Sequence, residues 1–491
     1  MSAIFGNISY LTEEEMQKIH DTALKILERV GMKIDHEYAC ELLQNAGCAV
    51  DMDKREVKFP PELVENAVTK MKEQYQARGG DLLSMTVRYS RIAFSTWPRK
   101  IMRDFSLSTG GFTPFFLDLD GKRRYADITD VKKAIQLADA LENIDYMGLP
   151  VSAQEIPHKL RPVKMSAELI KNTRKIGGIE AWTREDVQYI VRIAEVAAGG
   201  KDALRKNPTL MGYAETRTPL CFDENMIDVY LAYIEEKLPQ SVDNMPCAGT
   251  TAPASGAGAL TMGIAESLGA LVLGVAADPD AVLSVDVCPT YAEMRTGNFS
   301  YAGPDRVALI AATAQLMHDF YGCPSGVHGA KTDACYPGVQ AAIEKTQSMI
   351  IPVLAGAYGI GTCGHVENAI TFSPLQLVID NEIAGIFRRT LEGFDVNDET
   401  LALDVIEEVG IGGEFITHPH TFENYRKEFY LPDLVERLPW QSWEDSTYKD
   451  ITDKAKERAA ELLQKETEKP LSKDQEKEID EIVKEAEAEL G

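Results

Sequence analysis

From about residue 130 onward, short apolar runs alternate with longer stretches whose apolar positions recur every three to four residues. Short runs bounded by Gly, Pro and Asp read as buried strands, and the longer period reads as helix. The strand-like runs are 144–151, 175–181, 210–215, 241–247, 282–287, 324–328, 353–358 and 415–417. Helical periodicity falls between them, for example at 183–198, 224–237, 304–321, 338–349 and 374–391. Eight strand–helix units over about 300 residues predict an α/β chain folded as a TIM (β/α)8 barrel with additions. An open, doubly wound sheet is the alternative, because counting units does not close a barrel.

The amino-terminal part has a different texture. Thr12-Glu-Glu-Glu15 is a capping-box pattern opening an amphipathic helix that stops at Gly31. Asp35 reads as the cap of a second helix closed by Gly47, and Pro61 starts a third. A short apolar run follows at Ile92 to Thr96. Asp120-Gly121, placed between Phe112–Leu119 and Lys122-Arg-Arg-Tyr125, signals a hairpin. From Asp450 the chain is dominated by Glu, Lys, Ala and Asp, which reads as solvated helix draped over the body or a neighbouring subunit. The expected organisation is an N-terminal helical and hairpin extension (1–125), a barrel (126–449) and a charged helical tail (450–491).

Charge narrows the function. Lys and Arg number 51 against 77 acidic residues, so the formal charge is −26. Such a surface repels nucleic acid and anionic lipid, and it attracts cationic ligands. The eight cysteines show no CxxC pair, which predicts reduced thiols of a cytoplasmic protein rather than a disulfide framework. No basic and apolar leader opens the chain, so secretion is not expected. The 22 residues Gly256–Ala277 are almost uncharged, but Glu266 in their middle favours a buried helix over a membrane span.

The loop 324–340 concentrates chemistry: His328, Lys331, Asp333 and Cys335 stand among glycines between a strand-like run and a helix. Loops at the carboxyl ends of strands are where α/β barrels keep their active groups. Gly359-Ile-Gly361-Thr-Cys-Gly364 matches GxGxxG with Asp380 downstream, but it comes late and does not open directly into a helix. Gly329-Ala-Lys331-Thr332 lacks the glycine before lysine that a phosphate loop needs. Cys363 with His365, Cys323 with His328, and His418 with His420 form no closed ligand set, so each is read as structural. Aromatics gather at the expected strand ends: Trp182, Tyr213, Tyr291, Phe299, Tyr301, Tyr358 and Phe372. Aromatic faces attract quaternary ammonium. Glu215 and Glu367 add negative charge, while His328, Lys331 and His365 suit a substrate carboxylate.

Several runs together resemble the trimethylamine methyltransferase (MttB) family. They are the 324–340 loop, Ile343-Glu-Lys-Thr346, Leu354 to Gly361, Ile370 to Glu382, Asp404 to Gly410, and Gly412 to Thr421. The resemblance implies a barrel enzyme moving a methyl group from a methylated amine to Co(I) of a cobalamin carried by a separate corrinoid protein. It also implies a cytoplasmic homo-oligomer with no tightly bound cofactor. The family's namesakes carry pyrrolysine in this loop; here its position falls at or beside Lys331, and the residues are ordinary ones. That departure points away from trimethylamine and toward glycine betaine and related quaternary amines, whose nitrogen already carries the charge that makes it a leaving group. Carnitine, γ-butyrobetaine and proline betaine share that head group, and a betaine-binding barrel without turnover is the non-catalytic alternative. The expected substrate contacts are His328, Lys331, Tyr358, His365, Tyr301, Phe299, Tyr213, Glu215 and Glu367; no catalytic residue and no metal ligand is assigned. Positive charge fades from nitrogen as the bond breaks, so aromatics are expected to outnumber carboxylates around the cation.

Overall fold

The structure is a computed structural model describing residues 8–77, 105–323, 325–445, 449–465 and 469–491. The helix Glu13–Arg29 opens on the expected capping box: Glu15 N–H donates to Thr12 Oγ1 (3.2 Å), and Thr12 N–H donates to the Glu15 carboxylate (2.8 Å). The second helix, Glu37–Ala46, is capped by His36 rather than Asp35. The His36 ring Nδ1 accepts from Ala39 N–H at 3.2 Å, while Asp35 is drawn away by Arg55 at 2.8 Å. Gly47 closes it in a left-handed conformation, and Pro61–Ala77 is the third helix.

These helices pack with the strands Met32–Ile34 and Glu56–Lys58 against Gly256–Ala277. That contact explains the long apolar stretch. By length and composition it is long enough to cross a membrane, and 83% of its most apolar window is buried inside the protein. Its one carboxylate is satisfied: Glu266 accepts from Thr216 Oγ1 (3.0 Å), Thr218 Oγ1 (2.9 Å) and Leu220 N–H (2.7 Å).

The rest is α/β, built on very short strands. Ser106–Thr109 pairs in parallel with Gly359–Ile360 on one side and Tyr146–Met147 on the other. Met147 bridges in parallel to Ile176. Gly212–Glu215, Gln240–Asp243 and Leu283–Val285 form a second parallel group, and Gly326–Val327 pairs with Gly359–Ile360. The pairings make several small sheets, not the single closed ladder that a barrel sheet predicts. At one seam a side chain takes the place of a ladder carbonyl: Asp286 accepts from Gly326 N–H at 2.9 Å and from Ser325 Oγ.

Three expectations shift. The run 353–358 is not a strand, because the helix Val339–Leu354 runs into it and the strand is Gly359–Ile360. The run 415–417 is an exposed turn before the helix Pro419–Glu428. An unforeseen strand, Ser106–Thr109, lies within the stretch assigned to the extension. The hairpin around Gly121 forms as expected, pairing Phe115–Leu117 with Arg123–Tyr125; the run at Ile92 to Thr96 lies outside the described residues. In the tail, Ile451–Leu462 and Lys473–Leu490 bury Ala455, Ala459, Leu462, Ile479, Ile482 and Ala486 against the body. Arg192–Glu485 and Lys164–Glu487 ion pairs (both 2.6 Å) flank that contact.

Candidate active site

A cavity of about 410 Å³ opens at the carboxyl ends of the short strands. Strand geometry lines it in two tiers, because residues two apart share a face. The lower tier holds Tyr146, Gly178, Tyr213, Ser241, Ser284 and Gly326; two residues further on, the upper tier holds Gly148, Glu180, Glu215, Asp243, Asp286 and His328. Tyr358 joins the lower wall, and Lys331, Tyr301 and His365 close the upper one from the following loops. The Tyr213 ring packs against Gly178, where a Cβ would stand 2.0 Å from a ring carbon. Gly111 (φ +97°) makes room for His365, whose ring would lie 2.6 Å from a Cβ there.

The cavity carries both signs of charge. Glu180, Glu215, Asp243 and Asp286 come from one run of successive strand ends, and His328, Lys331 and His365 come from 328–365, with the Glu215 and Asp243 carboxyls acting on Lys331. Burial pushes Glu180 up to about 8, with the neighbouring Glu215 charge adding to it. Burial likewise pushes Asp286 up to about 7, although amides of Val287 and Gly326 pull the other way. Asp243 is raised well above the usual carboxylate range by burial and then by Glu215, and its Oδ1 has no hydrogen-bond partner. Lys331 is lowered to about 8, chiefly by burial. His328 falls to about 3 through burial and then the Lys331 and Arg306 charges, so it is neutral at physiological pH. His365 is lowered for the same leading reason.

Buried groups beneath the surface hold these side chains. Lys331 Nζ stands 4.0 Å from the Tyr301 ring centroid. Asp333 fixes the Tyr301 turn by accepting from Tyr301 N–H (2.8 Å) and Ser300 Oγ (2.7 Å). Arg306, fully buried, donates to the carbonyls of Tyr301 (2.7 Å) and His328 (3.3 Å). Lys345 donates to Ala330 O (2.6 Å) and Asp380 (2.7 Å), and Asp380 also accepts from Gly364 N–H (2.6 Å). One buried ion pair thus ties the loop carrying Lys331 to the loop carrying His365. That engagement also accounts for Asp380, the acid downstream of the GxGxxG match. The rim segment 367–369 holds three consecutive non-glycine residues in left-handed backbone (φ 54°, 53° and 64°). It is fastened to the Lys331 loop through Glu367 N–H to Ala334 O (2.6 Å) and Asn368 N–H to Thr332 O (3.0 Å).

Of the expected contacts, His328, Lys331, Tyr358, His365, Tyr301, Tyr213 and Glu215 converge on the cavity. Phe299 does not: it is 46% exposed and meets Tyr301 edge-on, 6.3 Å between centroids. Glu367 does not either, since Arg123 (2.6 Å) and Thr371 engage its carboxylate. Trp182 is taken up by His158 and Phe112. Phe372 is in the core, edge-on to His365. Glu180, Asp243, Asp286 and Tyr146 were missed. The signal that finds the three acids is the repeat Gly178-x-Glu180, Tyr213-x-Glu215, Ser241-x-Asp243, Ser284-x-Asp286 at successive strand ends. Four tyrosines and four carboxyls line the cavity, so tyrosines do not outnumber acids as expected; burial instead raises the pKa of Glu180, Asp243 and Asp286. Among the described residues no three His, Cys, Asp or Glu side chains are grouped to hold a metal ion. Such a cavity suits a zwitterion, with its cation toward the acids and tyrosines and its anion toward Lys331.

The chain is 30% identical over 447 residues to a glycine betaine methyltransferase of Desulfitobacterium hafniense (strain Y51), covering 90% of each. It is 29% identical over 490 residues to the trimethylamine methyltransferase MttB of Desulfitobacterium hafniense (strain DSM 10664 / DCB-2), covering 99% of this chain and 95% of that one. Among solved structures, the Methanosarcina barkeri monomethylamine methyltransferase MtmB aligns with a TM-score of 0.45 at 11% identity, over 94% of this chain and 96% of that one. The family model for trimethylamine methyltransferase (MTTB) matches residues 2–491, and the chain belongs to that family of methyltransferases.

Proposed function

We propose that this protein is a non-pyrrolysine methyltransferase that takes a methyl group from a betaine, glycine betaine first, and passes it to Co(I) of a corrinoid protein. The observation that carries the reading is that one cavity holds both signs of charge beside aromatic faces: four carboxyls, four tyrosines and Lys331. The trimethylammonium head sits among Glu180, Glu215, Asp243 and the tyrosine faces, and Lys331 takes the carboxylate. Burial raises the pKa of Glu180, Asp243 and Asp286, so the cation is held without excess stabilisation of the ground state. The tyrosine tier sets the depth, orients one methyl toward the mouth and displaces water. The docked corrinoid supplies the nucleophile, and the amine leaves as a neutral tertiary amine. Met245 and Ile370 stand exposed at the mouth, with Met294 and Phe299 on a nearby hairpin, an apolar rim suited to a protein that docks and leaves.

The same proposal includes a (β/α)8 barrel, since residues in or beside the parallel strand segments from Ser106–Thr109 to Gly359–Ile360 supply cavity walls, and a domain division whose first boundary lies before Ser106. It includes a cytoplasmic home, in keeping with eight free cysteines, and no resident cofactor. A second reading, a longer betaine such as carnitine or γ-butyrobetaine, is favoured by one observation: 410 Å³ is more than a two-carbon betaine fills.

The test is to incubate the protein with a panel of quaternary amines and Co(I), free or on a corrinoid protein, following methylcobalamin by absorbance and the demethylated amine by mass. Product from one betaine supports the reading and names the substrate. No product from any quaternary amine with a competent corrinoid protein refutes it.

A further inference from the structure

Three neighbouring strands bring three carboxyls to one level of the cavity wall. Gly212–Glu215 and Gln240–Asp243 pair in parallel with Asp243 opposite Glu215. Leu283–Val285 continues the register on the other side, where Asp286 N–H donates to Val242 O at 2.9 Å. Asp243 therefore stands between Glu215 and Asp286, with neighbouring strands about 4.8 Å apart. Carboxyls crowded in this way do not all ionise; one keeps its proton.

The hydrogen bonds show which one. An ionised carboxylate only accepts, and when buried it needs donors. Asp286 has them, from Val287 N–H (2.9 Å), Gly326 N–H (2.9 Å) and Ser325 Oγ (3.2 Å). Glu266, in the core, has three of its own. Asp243 is only 9% exposed, lines the cavity, and has an Oδ1 with no partner at all. Burial, then Glu215, Cys288 and Asp286, favours its neutral form against the pull of Lys331. Asp243 is thus a carboxylic acid beside the place where the cation sits.

We propose that Asp243 is the general acid that protonates the amine left behind when a methyl group departs. This rests on the demethylation reading above. A quaternary nitrogen has no lone pair and takes nothing from Asp243. When the C–N bond breaks, the methyl carbon goes to Co(I), which supplies the electron pair of the new bond, and the C–N pair stays on nitrogen. That pair takes the Asp243 proton: the O–H bond breaks, an N–H bond forms, and a tertiary ammonium faces the Asp243 carboxylate. The ammonium leaves, and Asp243 regains a proton from water. The free lone pair is the nucleophile of the back-reaction, so protonating it blocks return of the methyl group.

Infrared difference spectra of the full chain at neutral pH, wild type against Asp243→Asn, are expected to show the carbonyl stretch of a protonated carboxyl that the variant lacks, with circular dichroism unchanged. Calorimetric titration in two buffers of different ionisation enthalpy counts protons. Trimethylammonium, which can donate an N–H to Asp243, is expected to release about one proton on binding, and tetramethylammonium, which has no N–H, less than about half of one. Asp243→Asn abolishes the release and Asp243→Glu restores it. In turnover with saturating betaine, Asp243→Asn is expected to lower kcat by about 10-fold or more, a larger fall than in the single-turnover rate of methyl transfer. The wild-type kcat declines as rising pH ionises Asp243, and the variant loses that decline. No protonated-carboxyl difference overturns the assignment. So does a proton release that survives Asp243→Asn and disappears in Glu180→Gln, or a kcat that falls no further than the single-turnover rate. A protein that demethylates no quaternary amine yet gives the band and the release loses the reaction and keeps the acid; one that demethylates without them keeps the reaction and loses the acid.

Discussion

Replacing Lys345 by Met tests how the site is held. Lys345 and Asp380 are both 0% exposed, and Lys345 Nζ links Ala330 O to the Asp380 carboxylate. Methionine keeps the length and volume of the side chain and removes the charge. Asp380 is then left with Gly364 N–H and Gln376 Nε2 as donors. Breaking a buried pair by deleting one partner costs about 3–5 kcal/mol, because the other charge stays buried and unpaired. At about 2.1 cal/mol/K of unfolding entropy per residue, cooperative unfolding of the whole chain lowers Tm by roughly 3–5 °C. Burial already raises the Asp380 pKa against the pull of Lys345, so removing the lysine raises it further. A group with a raised folded pKa contributes stability below its unfolded pKa and loses it as pH rises through the folded one. The variant's deficit is therefore largest at alkaline pH and shrinks on acidification. Adding Asp380→Asn removes the stranded charge and restores at least half of the lost stability. Scanning calorimetry across pH 5 to 9 reads all of this, and betaine titration shows weaker binding as the Lys331 and His365 loops come apart. A single variant as stable as wild type, or a double no better than the single, refutes the reasoning.

Betaine affinity is expected to follow a bell in pH: Glu180 ionises near 8 and gains its pull on the cation, while Lys331 loses its charge near 8 and releases the carboxylate. Isothermal titration gives the curve, and Glu180→Gln should flatten its acid limb; affinity that only falls as pH rises contradicts the assignment. Glu266→Leu leaves the hydroxyls of Thr216 and Thr218 and the Leu220 amide without their acceptor. At about 1–3 kcal/mol per unsatisfied buried group, a loss of at least 3 kcal/mol is expected in urea denaturation, and a loss under 1 kcal/mol would show the loop finds other partners.

The α/β class was legible because its signal is local. Apolar runs and helical periodicity sit within a dozen residues of each other, and the capping box at Thr12 and the turn at Gly121 formed where their residues stand. The strand Ser106–Thr109 hid because three of its four residues carry hydroxyls, which read as loop; they are inside because Ser108 and Thr109 line a polar cavity. The run 353–358 deceived in the opposite sense, since a helix end buried on most sides is as apolar as a strand. For the site, seven of the expected residues line the cavity, and they came from reading strand ends one at a time. Phe299 and Glu367 lie away from it because nearness along the chain does not give direction: one side chain is half exposed and the other engages Arg123. Glu180, Asp243 and Asp286 were available in the two-residue register they share with Glu215. The Lys345–Asp380 pair was not, because residues 35 apart meet only once the chain has folded.

The two-tier lining separates two jobs that many pockets mix. On the proposed function, Tyr146, Tyr213 and Tyr358 set how deep a ligand sits, and the acids with Lys331 set which ends it must carry. Trimming a tyrosine admits a longer molecule while the charged tier stands unchanged. Enlarging Gly178 displaces Tyr213 and shortens the cavity from the same tier. Selection can thus re-cut the cavity for a new substrate one tier at a time, a route to divergence closed to a site whose depth and charge reside in the same side chains.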